Sequence, residues 1–443
     1  MTTSTRPNPD LKFLRVVACD LNGQARGKSM RIADLEKVKR DGARMPLSAL
    51  NLDMNGEDID GSPLVFSSGD QDGVLKPTGR GLVPMPWLDN PTALLPVWMF
   101  REDGDPFLGD PRQVLASVLA DYATLGWSPQ IATEFEFYLL KSRNAPPQPA
   151  PSPLTGNAPS SGDILSSRAL DDFDGFLAEL FDAAEQMGIP AQTATSEGGI
   201  GQFEVTLRHD HALKAADDAW LFKMLTKGLA AKHGFAASFM AKPFADQPGN
   251  GLHLHCSVLD ETGANIFDDG TESGSETLTA AVAGCLDALT ACTAIFAPNV
   301  TSYDRFVADS HAPTKIAWGY ENRTVALRVP AGAPDARRIE HRLAGGDTNP
   351  YLYFAAVLAA MHDGITRKLT PPSAVSGNAY TQDLPEIPLD LETAIRKFST
   401  EQTIKNLLPR ALIENFVAMK QQEIRVCADL SRAEIQARYL DTH

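Results

Sequence analysis

Four short stretches of this chain largely alternate apolar residues with polar ones, mostly charged or imidazole, in runs that read as strands. They are Glu134 and Glu136 within Thr133-Glu134-Phe135-Glu136-Phe137, Glu204 within Gly201-Gln202-Phe203-Glu204-Val205, His253 and His255 within Gly251-Leu252-His253-Leu254-His255, and Arg338, Glu340 and Arg342 within Arg338-Ile339-Glu340-His341-Arg342. A strand points residues i and i+2 to the same face. Two glutamates on one face of a sheet repel each other unless something cationic sits between or before them. Any one stretch could be a half-exposed strand with a solvated polar face, as is usual in antiparallel sheets. Four of them, joined by Glu197 in a glycine-flanked loop, argue for a shared site.

Pooled carboxylates with an imidazole suit hard, oxygen-preferring divalent cations such as Mg2+ or Mn2+. Pooled arginines grip phosphate and carboxylate bidentately. Together they suit phosphoryl transfer or acyl-phosphate chemistry, in which cations neutralise charge on the moving group. Cys256, beside His255, leaves a zinc site as an alternative. The chain has neither a GxxxxGK[ST] loop nor a GxGxxG turn, and no nucleophile elbow supports Ser-His-Asp hydrolysis.

The elements that must position these residues can be read more coarsely. Leu14 to Cys19 and Leu94 to Phe100 read as strands, Asn22-Gly23 as a turn, and Ile32 to Asp41 as a helix. Asp110-Pro111 looks like the cap and first position of a helix reaching about Leu125. Asp171 to Met187, Ala280 to Phe296 and Asn349-Pro350 to about Ile365 have helical character, and Ala145 to Gly162 is a Pro/Ser/Gly-rich loop. Strands are expected at Thr133 to Leu140, Gln202 to Arg208, Gly251 to Leu259, Val325 to Val329 and Arg338 to Leu343. With 443 residues the chain exceeds one ordinary core, and the break at Asp103-Gly104-Asp105-Pro106 sets a domain boundary near residue 105. A net charge of −16 argues against a phosphate-backbone binder, so no nucleic acid is expected as a partner. Five cysteines without a CxxC pair fit free thiols in a reducing compartment. No apolar run is read as approaching the roughly 20 residues of a membrane span, and Met1 to Asp10 is polar; the expectation is a cytoplasmic protein with no membrane partner.

At these segments the chain resembles the glutamine synthetase family, and within it the γ-glutamylpolyamine synthetases. The resemblance is carried by Cys19-Asp20-Leu21-Asn22-Gly23 with Arg26-Gly27-Lys28, the Glu134 and Glu197–Glu204 segments, and Met240-Ala241-Lys242-Pro243. It continues through Gly249-Asn250-Gly251-Leu252-His253-Leu254-His255, Asn299-Val300 to Arg305, Asn322-Arg323-Thr324-Val325-Ala326 with Arg328, and Arg338 to Gly345. It covers nearly the whole length. What it implies is an α+β fold with a small N-terminal β-grasp domain over residues 1–105. A larger catalytic domain over 106–443 would carry a curved antiparallel sheet with surrounding helices. Subunits would assemble into rings, a dodecamer, with the N-terminal domain of one closing the site of its neighbour.

The same resemblance implies roles. Glu136, Glu197 and Glu204 would hold the divalent metal nearer a glutamate substrate, and Glu134, His253 and Glu340 the metal bridging the phosphates of ATP. Arg323, Arg328 and Arg338 would contact phosphates, with His255 near the nucleotide. Arg305 and Arg342, helped by backbone around Gly249 and Gly251, would grip the glutamate carboxylates or the phosphorylated intermediate. ATP would convert the poorly electrophilic γ-carboxylate to an acyl phosphate, which an uncharged amine then attacks.

One stretch departs from the family. Ammonium-using members carry a glutamate within Tyr-Glu-Ala-Pro after the counterpart of Arg305; here Asp309-Ser310-His311-Ala312-Pro313 puts His311 at that place. That loss favours a larger amine, a polyamine or small monoamine, over ammonium. His311 is a candidate base or a pocket-shaping residue. Asp53 stands where the family keeps an amine-binding aspartate contributed across the subunit interface. An ammonium-using synthetase and a catalytically silent nitrogen-sensing relative stay open as alternatives.

Overall fold

The computed structural model describes residues 10–443; Met1–Pro9, most of the polar N-terminus read above, lies outside them. The apolar run at Leu14 becomes β1 (Phe13–Cys19), and the Asn22-Gly23 turn, with Gly23 at φ 80°, returns the chain as β2 (Ala25–Arg31). There follow α1 (Leu35–Asp41), β3 (Ala43–Pro46), β4 (Asp72–Pro77), β5 (Val83–Pro84) and β6 (Thr92–Phe100). These strands pair in the order β2-β1-β6-β4-β3, with β5 on β6; β1 and β6 run parallel and the other pairs antiparallel. Leu35 and Val38 of α1 enter a core with Leu14, Val16, Leu75 and Leu95. A mixed sheet grasping a helix is the expected small β-grasp unit.

Asp110 caps α2 (Pro111–Thr124) by accepting from Arg112 N at 2.8 Å, as its Asp-Pro start predicts. The strands of the second sheet are β7 (Ser128–Leu140), β8 (Ala191–Ser196), β9 (Gln202–His211), β10 (Ala236–Ser238), β11 (Leu252–Leu259), β12 (Trp318–Tyr320), β13 (Leu327–Val329) and β14 (Ile339–His341). Their order is β12-β13-β14-β11-β7-β9-β8, with β10 on β7, and every pair is antiparallel except β12 with β13. The back of this sheet is covered by helices among α3 (Ser167–Asp172), α4 (Asp174–Gln186), α5 (Ala212–Lys232), α6 (Glu276–Phe296) and α7 (Pro350–Thr366). Phe135 and Phe137 pack there against Phe222 and Phe239. Val17, Cys19, Val83 and Leu94 of the first sheet join this larger core.

The helix α6 corrects one sequence reading. It is 21 residues long and its most apolar 18-residue window has a mean hydropathy of 1.7, long and apolar enough to cross a membrane. Yet 83% of its most apolar window is buried inside the fold. Its crossing with α7 explains the composition: a Cβ on Gly284 would stand 2.1 Å from Ala360 O, and one on Gly364 2.3 Å from Ala280 O. Two backbones this close need glycine at both positions. Four helices not anticipated from the sequence complete the chain: α8 (Leu391–Thr400), α9 (Gln402–Leu407), α10 (Arg410–Ala428) and α11 (Arg432–Thr442).

Candidate active site

Strand register assembles the charged stretches into one row. Glu204 on β9 faces Glu136 on β7; Glu134 on β7 faces His253 on β11; His255 on β11 faces Glu340 on β14, which faces Arg328 on β13. Alternation puts these groups on the face opposite the buried Phe135, Phe137 and Leu254. His253 sits at the centre. Ligand atoms of Glu134, His253 and Glu340 lie within 4.8 Å of one another, and so do those of Glu136, Glu204 and His253. Glu197 falls outside both groups, although Glu136 and Glu134 are near enough for their charges to act on it.

The hydrogen bonds fix how the two imidazoles present themselves. His255 Nδ1 accepts from Arg338 Nε at 3.3 Å, so its Nε2 is the donor to Glu134 Oε1 at 3.0 Å. His253 Nδ1 lies 3.1 Å from Glu134 Oε2; with its proton there, Nε2 keeps a free lone pair. Burial alone would raise the Glu134 pKa, but hydrogen bonds from His253 and His255 hold it below the usual carboxylate range. Glu197 and Glu204 have no such side-chain partners. Burial, then repulsion from Glu136 and Glu134, raises Glu197 to about 7; burial with repulsion from Glu134, Glu136 and Glu197 raises Glu204 to about 9. This shortage of positive charge is what a divalent cation would fill. The donor set of carboxylate oxygens with one imidazole nitrogen fits a hard ion.

The zinc alternative fails on the same alternation. Cys256 is the strand neighbour of His255 and points to the other face, its buried thiol raised far above the ordinary value. All five cysteines are free and buried.

Arginines close one end of the row. Arg328 Nη1 donates to Glu340 Oε2 at 2.7 Å, and Arg342 Nη1 donates to Glu340 Oε1. Burial would raise the Glu340 pKa, but Arg342, the two histidines and Arg328 outweigh it and bring it to about 2. Arg328 also holds Glu321 at 3.0 Å. The Arg305 guanidinium is buried and tied to backbone, donating to Leu343 O at 2.9 Å and Arg342 O at 3.4 Å. Both predicted glycines are close-approach positions. A Cβ on Gly249 would meet Arg305 Cγ at 2.7 Å, and one on Gly251 would meet Arg305 Nη2 at 2.8 Å and His253 Nε2 at 3.0 Å. Gly251 N donates to Glu136 Oε2 at 2.6 Å.

The sequence reading missed residues that hold these parts. Asp347 is buried, and its Oδ2 accepts from Asn299 Nδ2 at 2.8 Å and Ser302 Oγ at 2.6 Å, clamping the turn that carries Arg305. Gln202 Nε2 reaches Gly249 O at 3.0 Å and Asn250 Oδ1 at 2.9 Å, while its Oε1 accepts from Gly199 N. It thereby ties the Glu197 loop to the Gly249–Gly251 turn. An aspartate two residues before a helix cap looks like part of the cap, and a glutamine two residues from a glutamate in a strand looks like its solvated face.

Asp53 lies elsewhere in the chain's contacts. It is buried, with Oδ1 accepting from Asn55 N and Glu57 N and Oδ2 from Gln422 Nε2 of α10 at 3.1 Å. Two cavities hold predicted site residues, and the first of them adjoins the carboxylate row. One, of about 370 Å³, includes Glu134, His255, Gln130, Thr206, Ser257 and Arg338 in its lining. The other, of about 790 Å³, is lined by His311, Arg323, Asp309, Tyr320, Asn378 and Tyr380, among others.

Residues 108–437 match the family model described as glutamine synthetase, catalytic domain. The gamma-glutamylputrescine synthetase PuuA of Escherichia coli strain K12 is 34% identical over 420 residues, 94% of this chain and 89% of that protein. The glutamate–isopropylamine ligase of a Pseudomonas species is 33% identical over 440 residues, 98% of this chain and 95% of its own. Among solved structures, a GmaS/ADP complex superposes with a TM-score of 0.84 at 29% identity, covering 96% of each chain.

Proposed function

We propose a function from one premise, that the chain belongs to the glutamine synthetase family: it is an ATP-dependent ligase joining the γ-carboxylate of L-glutamate to a primary amine. The observation that carries this reading is the register, which sets two ligand groups sharing His253 beside the buried Arg305, Arg328 and Arg342. Two similar proteins are named for ligation of glutamate to putrescine or isopropylamine, and a third was solved with ADP.

Each group has a task. A γ-carboxylate oxygen attacks the terminal phosphorus of ATP, the bond to the bridging oxygen breaks, and ADP leaves. The amine, having lost a proton, attacks the acyl carbon, and phosphate departs with the carbon–oxygen electron pair. Divalent cations, Mg2+ or Mn2+, held by Glu136, Glu197 and Glu204 and by Glu134, His253 and Glu340, would supply charge neutralisation at the phosphates. Arg305, fixed by carbonyls 342 and 343, and Arg342 hold the glutamate carboxylates or the phosphorylated intermediate. Arg323, Arg328 and Arg338 bind phosphate oxygens. The cavity at His255 and Ser257 accepts the nucleotide. His311 stands at the larger cavity as the candidate base. We divide the chain at residue 105 and expect a cytoplasmic ring, a dodecamer, in which the first unit, with Asp53, closes a neighbour's site.

Release of ADP with glutamate and a panel of amines tests the reading. Turnover with organic amines is the expected result. Turnover with ammonium alone would make the chain a glutamine synthetase, the reading favoured by the name of its family model. No release of ADP with any amine would leave a catalytically silent relative.

A further inference from the structure

The cavity beside His311 is far larger than ammonium requires. An ion of that size takes about the share of a water molecule, roughly 30 Å³, whereas the cavity holds about 790 Å³. Its inner parts lie within electrostatic reach of the acyl-transfer machinery: the charge of Arg323 acts on Glu197 and Glu204, and the charges of Arg305 and Arg342 act on Tyr380. A molecule that reaches from the reacting carbon outward has this space to occupy.

The carboxylates in the lining, which also includes the cationic Arg323, are unevenly committed. Glu321 is held by Arg328 at 3.0 Å and also accepts from Ala331 N. Asp309 accepts only an amide hydrogen, from Asn378 Nδ2 at 3.2 Å, and has no cationic partner among the described residues. The rings of Tyr320 and Tyr380 line the same cavity. Their hydroxyls are already spent on Ser273 O and Ala312 O, each at 2.9 Å. A free carboxylate and two fixed aromatic rings form a receptor for an ammonium group.

The loop itself is held under strain. Asp309 and His311 sit at φ 60° and 62°, a left-handed conformation that costs a side-chain-bearing residue about 1 kcal/mol or more at each position. The bonds from Asn378 to Asp309 and from Tyr380 to Ala312 maintain it. In this conformation both residues line the cavity.

Resting on the ligase reading above, we infer that this cavity is the acceptor subsite and that Asp309 selects an aliphatic diamine. One nitrogen attacks the acyl carbon as the free amine, and the distal nitrogen stays an ammonium against Asp309 and the tyrosine rings.

The test measures kcat/KM for 1,4-diaminobutane and for n-butylamine, with ATP and glutamate saturating, in the wild type, Asp309→Asn and Asp309→Glu. The diamine should be preferred by the wild type. In Asp309→Asn the diamine-to-monoamine ratio should fall by about five- to tenfold, the scale of one partly exposed charged contact, and Asp309→Glu should recover part of it. A ratio unmoved by Asp309→Asn, or no wild-type preference while n-butylamine is turned over, overturns the inference and leaves the ligase reading standing. Failure of every amine to release ADP removes both.

Discussion

Affinity for a divalent cation should climb steeply with pH, because the carboxylates that would hold it are partly protonated without it. Glu197 is raised to about 7 and Glu204 to about 9 by burial and by their negative neighbours, from an ordinary 4.5. Binding through both must displace their protons. Below pH 7 about two protons leave per ion, between 7 and 9 about one, and above 9 none. Integrated from pH 6 to 8, Glu204 contributes about two decades and Glu197 about one, so the apparent dissociation constant should fall about a thousandfold. The fold obeys the same linkage with the opposite slope. Between pH 4.5 and 9 the folded, metal-free protein binds more protons at these two groups than the unfolded chain does. Their contribution to stability is therefore lost as pH rises through that window. Titration calorimetry with Mn2+ at pH 7 in two buffers of different ionisation heat reads the protons directly; about 1.5 should be released per ion. Glu204→Gln should lower that number by about one and flatten the slope between pH 7 and 9. A pH-independent affinity with no proton release would refute the reasoning.

Three further outcomes follow from single contacts. Gly251→Ala inserts a Cβ 2.8 Å from Arg305 Nη2 and 3.0 Å from His253 Nε2, and should lower turnover by about a hundredfold or more through displaced catalytic groups; wild-type kcat would contradict it. Glu340→Ala removes the carboxylate shared by the buried Arg328 and Arg342, leaving Arg328 only Glu321, and should lose turnover together with about 3 kcal/mol of stability, with Glu340→Gln milder; an unchanged melting temperature for the alanine variant would count against that pairing. Asp347→Asn swaps a charged acceptor for a neutral amide beside Asn299 and Ser302, and should raise the KM for glutamate by about tenfold by loosening the Arg305 turn; an unaltered KM would detach Asp347 from Arg305.

What could be read from the sequence depended on whether the signal was local. The row of ligands was legible because alternation is a two-residue property: Glu134 and Glu136, like His253 and His255, announce a shared face before any pairing is known. Their convergence is a matter of register, which places Glu136 against Glu204 and Glu134 against His253, and the resemblance supplied it where periodicity could not. α5 shows the limit. Its buried face includes Asp217, Asp218 and Lys223, so a hydrophobic stripe is interrupted and no amphipathic pattern stands out. The two aspartates are tolerable because Arg112 meets Asp217 at 2.8 Å and Arg80 and Lys214 meet Asp218, partners more than 100 residues away in two of the three cases. α6 errs in the other direction: it is apolar enough for a membrane, and only its packing against α7 reveals a core helix. Asp347 combines both limits. Its sequence neighbours argue for a helix cap, while its partners Asn299 and Ser302 lie nearly 50 residues back. Groups that bind substrate declare themselves by type and spacing; the residues that hold them still are identified only by their contacts.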